Sequence, residues 1–248
     1  VEATNKGGEV MTHVNRNQRI LFLSDMHKPY GHRDTLKFLA ALKKKYAPTR
    51  VICVGDEIDA HAMSFHDSDP DLPSAGDELK LAIRHLKPLY TLFPNMDLVD
   101  SNHGSMHYRK GKHHGIPRKY LRDYSEILEA PKGWRWHLDL LLTLPDGNKM
   151  YVHHGLSKAV MKAVAARGVC IVQGHFHEDF CIGYQGNPHA LLWGMTLGCL
   201  IDKEAMAFAY NRTNLNRPII GTGLVIDGQP KLAPMVLTKG GRWNGYVP

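Results

Sequence analysis

Arg19-Ile20-Leu21-Phe22-Leu23-Ser24-Asp25-Met26-His27 begins as an apolar run and closes on a carboxylate and an imidazole. A short apolar run bounded by polar residues reads as a buried strand. The pattern then repeats along the chain. Arg50 to Val54 leads into Gly55-Asp56-Glu57-Ile58-Asp59, and Met96 to Asp100 into Ser101-Asn102-His103. Met150 to Val152 leads into His153-His154-Gly155, and Val169 to Val172 into Gly174-His175-Phe176-His177.

Between these runs lie segments with helical character: Arg33 to Tyr46, Ala75 to Leu92, Pro117 to Leu128 and Ser157 to Arg167. Leu36, Leu39, Ala40 and Leu42 give the first an apolar face at helical spacing. Ser157 is the expected N-cap of the last, and Gly168 its C-terminal glycine. Strands alternating with helices predict βαβ units and a largely parallel sheet. From Phe180 onward, short strands such as Ala190 to Trp193 and Gly223 to Ile226 follow with turn signals such as Asp227-Gly228. That change predicts a second, antiparallel sheet. The expected fold class is α/β, a four-layer αββα sandwich of mixed sheets flanked by helices. Trp134 and Trp136 read as strand core rather than a stacking platform.

Ligands of open α/β sheets gather at the carboxyl ends of the strands. Each of the five runs quoted above ends in a carboxylate, an amide or an imidazole. The D-x-H of residues 25–27 and the H-x-H of residues 175–177 put both donors on one side of an extended segment. Such nitrogen and oxygen donors suit zinc, iron, manganese or nickel. The Asp56 carboxylate can bridge two cations, and the Asn102 amide oxygen adds a neutral ligand.

A chain of 248 residues can bury one substantial α/β core. With 43% hydrophobic and 22% charged residues, a disordered chain is excluded. No apolar run reaches membrane-span length, and the polar start lacks the apolar core of a secretory leader. Cys53, Cys170, Cys181 and Cys199 stand singly in apolar stretches, so they read as small core residues of a reduced compartment. The expectation is a cytoplasmic protein with no membrane partner. Met11 opens a segment that reads as a natural start, so residues 11–248 are expected to form one domain, with residues 1–10 as an N-terminal extension. A net charge of +7 favours an anionic partner.

The ordered set DMH, GDEID, SNHG, HHG and GHFH resembles the five motifs of the calcineurin-like metallophosphoesterases. The resemblance runs from Ser24 to His177, about two thirds of the chain. It implies two divalent metal ions, manganese first, with iron, zinc or nickel as alternatives. Asp25, His27 and His177 would hold one, Asn102, His154 and His175 the other, with Asp56 bridging. His154 is chosen over His153 because the family ligand directly precedes glycine. His103 matches the histidine that contacts substrate and can protonate the leaving group. Asp59 matches the carboxylate that can orient it. The implied reaction is attack on phosphorus by a hydroxide shared between the metals, with no covalent enzyme intermediate.

Two departures stand out. Ser101 and Gly104 flank the third motif where the family usually has glycine and an acid. Ala60-His61 also replaces the Arg-Gly pair of the protein serine/threonine phosphatases, which argues against that branch.

The stretch from Asn102 to Arg122 has no acidic residue and carries Arg109, Lys110, Lys112, Arg118, Lys119 and Arg122. It reads as a solvated basic loop or as a phosphate grip at the mouth of the site. Arg109 and Lys112 are the expected substrate contacts, and Tyr108 suits base stacking. The leading expectation is a phosphodiesterase acting on nucleotide or nucleic-acid substrates. A broad-specificity phosphomonoesterase is the alternative. A catalytically inactive binding or scaffold module is the remote one, because such a module should show broken ligand positions and this sequence has none. His66-Asp67-Ser68-Asp69-Pro70-Asp71 reads as a solvated turn rather than a further cation site.

Overall fold

The computed structural model describes residues 17–65, 70–205 and 217–248. Residues 1–10, read above as an extension, and positions 66–69 of the acidic turn lie outside the described residues.

One sheet contains β1 (Arg19–Leu23), β2 (Arg50–Cys53), β3 (Met96–Val99) and β4 (Trp134–His137), each parallel to the next. β10 (Gly221–Ile226) pairs antiparallel with the free side of β1, and β11 (Gln229–Pro234) pairs antiparallel with β10. The second sheet holds β5 (Leu140–Thr143), β6 (Lys149–His153), β7 (Cys170–Gln173), β9 (Leu191–Leu197) and β8 (Phe180–Gly186), in that spatial order. β6, β7 and β9 are parallel, while β5 and β8 run antiparallel at the two edges.

The continuous apolar character of β1 follows from burial on both faces. Leu21 and Leu23 pack with Phe38, Leu39 and Leu42 of α1 (Thr35–Tyr46) and with Ala82, Leu86 and Leu89 of α2 (Ala75–Leu92). Ile20 and Phe22 point the other way, into a core shared with Val152, Val172 and Trp193 of the second sheet. A short helix, α5 (Val160–Arg167), covers that sheet and lies close on β9 because Gly194 has no side chain. A Cβ there would sit 2.9 Å from methyl carbons of both Val160 and Val164. The layers are therefore helix, sheet, sheet, helix, with both sheets mixed. Among the described residues, no helix is long and apolar enough to cross a membrane.

Several local expectations need correction. The second sheet is mixed rather than antiparallel, and Gly223 to Ile226 belongs to the first sheet, where the Asp227-Gly228 turn folds β11 back onto β10. The predicted helix from Pro117 to Leu128 breaks into a 3₁₀ turn at Arg118–Tyr120 and a single turn, α4 (Tyr124–Ile127). The basic stretch before it is helical instead, as α3 (Met106–His113). Ser157 does not cap α5, because the helix starts later and the Ser157 carbonyl accepts a 2.7 Å bond from Gln173 Nε2. Cys181 is exposed on edge strand β8, whereas Cys53, Cys170 and Cys199 are buried. Gly168 does end α5 in the left-handed region, at φ 67°. Trp134 is buried in β4, and Trp136 packs against the same core.

Candidate metal centre

Hydrogen bonds donated by backbone N–H groups tie together the loops after β1, β2, β3, β6 and β7. Asp25 N–H donates to the Gly55 carbonyl at 3.1 Å, and His27 N–H to the Asp56 carbonyl at 2.8 Å. Gly174 N–H donates to the His154 carbonyl at 2.8 Å, and His175 N–H reaches both Asp25 carboxylate oxygens at 3.0 and 3.1 Å. Asp25, His27, Asp56 and His175 all adopt left-handed backbone angles, with φ of 49°, 43°, 52° and 69°. Such positions cost about 1–3 kcal/mol each and persist where the surroundings over-determine them, commonly at functional sites.

All seven side chains predicted as ligands arrive in one cluster. Donor atoms of Asp25, His27 and His177 lie within 4.8 Å of one another, and so do those of Asp56, His154 and His175. His177 Nε2 is 3.2 Å from Asp25 Oδ1, and His27 Nε2 is 3.5 Å from Asp56 Oδ2. The same Asp56 oxygen is 3.1 Å from His154 Nε2. One carboxylate oxygen thus faces both groups.

His154 shows whether these donors suit a cation. Its Nδ1 lies 2.8 Å from the Val54 carbonyl, an oxygen that can only accept, so the ring proton belongs there. The opposite nitrogen, Nε2, meets Asn102 Oδ1 at 2.8 Å, Asp56 Oδ2 at 3.1 Å and His175 Nδ1 at 3.2 Å. Unprotonated, Nε2 faces two oxygen lone pairs, and protonated, its one hydrogen cannot bond both oxygens and His175 Nδ1 at once. Ligands of one cation with bonds of about 2.0–2.2 Å stand roughly 3–3.5 Å apart, so the spacing fits donors converging on a shared ion.

The electrostatics agree. Burial disfavours the His154 imidazolium, but the Asp56 carboxylate outweighs it and holds the pKa up at about 10. Burial likewise opposes ionisation of Asp25 and Asp56. His177 beside Asp25, and His154 with its neighbours beside Asp56, pull both carboxylates below the usual range. The pocket is an anionic field in which a bound cation can replace those protons.

Outside the cluster, the predicted residues divide. His103 is half-buried, its ring edge-on to His27 at 4.6 Å, and its Nδ1 bonds the backbone carbonyl of Asp59. The Asp59 carboxylate goes to His27 Nδ1, at 2.5 Å, and stands 3.9 Å from His103 Nδ1. The orienting role read for Asp59 therefore reaches His103 through the backbone and His27 through the side chain. Arg109 is exposed on α3, with Nη1 3.3 Å from the Asn102 carbonyl and its guanidinium 5.2 Å over the Phe65 ring. Lys112 is exposed in the last turn of α3. His153 stacks on Tyr151 at 6.0 Å and accepts from Gly155 N–H.

Sequence reasoning missed Ser101 as a brace. Its hydroxyl oxygen accepts from Asp56 N–H and Gly104 N–H, both at 3.0 Å, and so fixes the second loop against the third. The signal was the serine standing in the family's glycine position. Also missed was Glu57, buried beside Asp56, where Trp136 Nε1 donates to it at 2.9 Å and burial pushes its pKa up to about 7.

The sequence profile of the calcineurin-like phosphoesterases matches residues 18–196. No curated protein matches the chain. Among solved structures, the fold is similar to vacuolar protein sorting 29 from Cryptosporidium parvum, at 12% identity and TM-score 0.47, over 91% of this chain and 94% of that one. A single mutant of Vps29 from Entamoeba histolytica gives 12% identity and TM-score 0.44, over 90% and 95%. The phosphoesterase Yfce from E. coli gives 10% identity and TM-score 0.47, over 92% and 97%. With a family match over most of its length and clustered side chains that could hold metal ions, the chain belongs to the calcineurin-like phosphoesterase family and is a metal-dependent hydrolase of phosphoric ester bonds.

Proposed function

We propose that this protein is a dinuclear phosphodiesterase acting on nucleotide or nucleic-acid substrates. The observation that carries the dinuclear reading is Asp56 Oδ2, which lies against His27 of one donor group and His154 of the other. Asp25, His27 and His177 would hold one divalent cation, and Asn102, His154 and His175 the second, with Asp56 between them. Manganese is the leading candidate, with iron, zinc or nickel as alternatives. Such ions supply positive charge to the phosphoryl oxygens and lower the pKa of a water toward neutrality.

The chain's own residues prepare that chemistry. Asp59 locks the His27 ring and the Val54 carbonyl locks His154, so each presents Nε2 inward. His103 commits Nδ1 to the Asp59 carbonyl, which leaves Nε2 to carry a proton to the departing oxygen. The diester reading is supported by the segment that follows His103. Arg109, Lys112, Lys119 and the aromatic Tyr108 and Tyr120 are all exposed on the segment that follows His103. A chain of phosphates and bases suits that mixture of cations and aromatic faces better than a lone phosphate does.

The test compares bis-p-nitrophenyl phosphate with p-nitrophenyl phosphate, using chelated protein resupplied with manganese. The diester is expected to be preferred, and His103→Ala should lose about 10²–10⁴-fold in kcat with its metal content intact. A preference for the monoester would put the phosphomonoesterase reading in its place.

A further inference from the structure

Behind the loop that carries Asn102 and His103 lies a second recess, a cleft of about 390 Å³. That volume falls within the roughly 300–1,000 Å³ of ordinary small-molecule sites. Its walls include His107 and Tyr108 of α3, Arg118, Arg122, Tyr124 and Trp136. We propose that this cleft is a nucleobase subsite, which receives the base next to the scissile phosphate. The inference rests on the nucleotide reading of the metal centre and deepens it.

Residues 101–105 form a partition between the two recesses: Asn102 and His103 belong to the metal side, while Gly104 and Ser105 line the cleft. A single hydroxyl, that of Ser101, accepts from both Gly104 N–H and Asp56 N–H. The floor has its own anchor, because Trp136 Nε1 donates to Glu57, the residue after Asp56. The cleft is thus held at a fixed offset from the proposed bridging carboxylate by hydrogen bonds on two sides.

Next comes shape. The rings of His107 and Tyr124 are nearly parallel, 9° apart with centroids at 5.3 Å, and Trp136 meets Tyr124 edge-on at 5.6 Å. The Arg118 guanidinium lies 5.6 Å over the Tyr108 ring. Each contact covers one face of the group and fixes its plane, and the opposite face of a ring or guanidinium so held is the kind of surface on which a base stacks without demanding a particular sequence.

Charge decides between a base and a second phosphate. Arg118 and Arg122 are matched in the same lining by the carboxylates of Asp100 and Asp123. Burial disfavours a charged His107, whose Nδ1 lies 3.2 Å from the Gly104 carbonyl, so its Nε2 is left as an acceptor. Two guanidiniums against two carboxylates leave no net positive field to hold another phosphate. The same four groups offer donors and acceptors suited to the polar edge of a base.

The test is equilibrium binding to manganese-loaded protein, comparing adenosine 5′-monophosphate with ribose 5-phosphate. Each carries the same phosphomonoester, so their ratio isolates the base, and ribose 5-phosphate serves as the internal standard in every variant. Wild type is expected to prefer adenosine 5′-monophosphate by about tenfold or more, the scale of one base–aromatic stack. Arg122→Ala and His107→Ala, made separately, should each cut that ratio by at least about threefold. Arg122 is exposed, so its variant keeps the test valid if His107→Ala fails to fold. Equal binding of the two ligands by wild type, or a wild-type ratio in both variants, would overturn the subsite. A base preference that both variants lose, in a protein that hydrolyses no diester, would support the subsite and remove the phosphodiesterase reading. Diester turnover without base preference would do the reverse.

Discussion

Asp56→Asn should abolish diester hydrolysis to within the background of chelated wild type, with a loss of at least about 10²–10⁴-fold. The side chain is buried, one oxygen serves both donor groups, and the other accepts from His103 N–H at 3.2 Å. The amide keeps the shape but removes the charge that offsets His27, His154 and any cation beside them. Breaking a buried ion pair costs about 3–5 kcal/mol, and each 1.36 kcal/mol is roughly tenfold. Steady-state kinetics and elemental analysis of the same samples check it. Near-wild-type turnover with full metal content would mean that Asp56 bridges nothing.

Gly55→Ala should damage the fold and the site together. Gly55 has φ 100°, a conformation that L side chains rarely adopt, and an added Cβ would lie 2.6 Å from Ser101 Cβ and 2.8 Å from His154 Nδ1. Neither neighbour can retreat cheaply, because Ser101 braces Asp56 and His154 Nδ1 is held by the Val54 carbonyl. Overpacking costs about 1–3 kcal/mol, and a strained backbone angle costs a similar amount. Thermal unfolding should therefore shift down clearly, and manganese should bind more weakly than to wild type. A variant with wild-type stability and metal affinity would show that this close approach is not maintained.

The convergence of the candidate ligands was legible because these donors follow strongly patterned strands. Five apolar runs, each closing on a donor, needed parallel neighbours within each of two sheets and the packing of those sheets to bring the donors together. Weaker patterns hid the rest. β5 is four residues long and only partly buried, so its alternation is faint. Only Met106 and Gly111 are buried in α3, which leaves no apolar stripe in the sequence to reveal a helix. The partner of Asp59 was hidden for another reason. An isolated bridge pairs Lys28 with Ile58, which sets His27 beside Asp59 across 32 positions of sequence. No local spacing encodes that register. Cys181 misled because an apolar edge strand reads like a core strand until the neighbouring strand is known to be missing on one side.

Counting the metal tests the central claim most directly. Chelated wild-type protein would be resupplied with manganese, freed of excess by gel filtration, and analysed for metal and protein in parallel with His154→Ala. Two manganese ions per chain in wild type and fewer than two in the variant is the predicted result. A wild-type chain that retains one ion or none, or a His154→Ala protein that still holds two, would contradict the dinuclear centre.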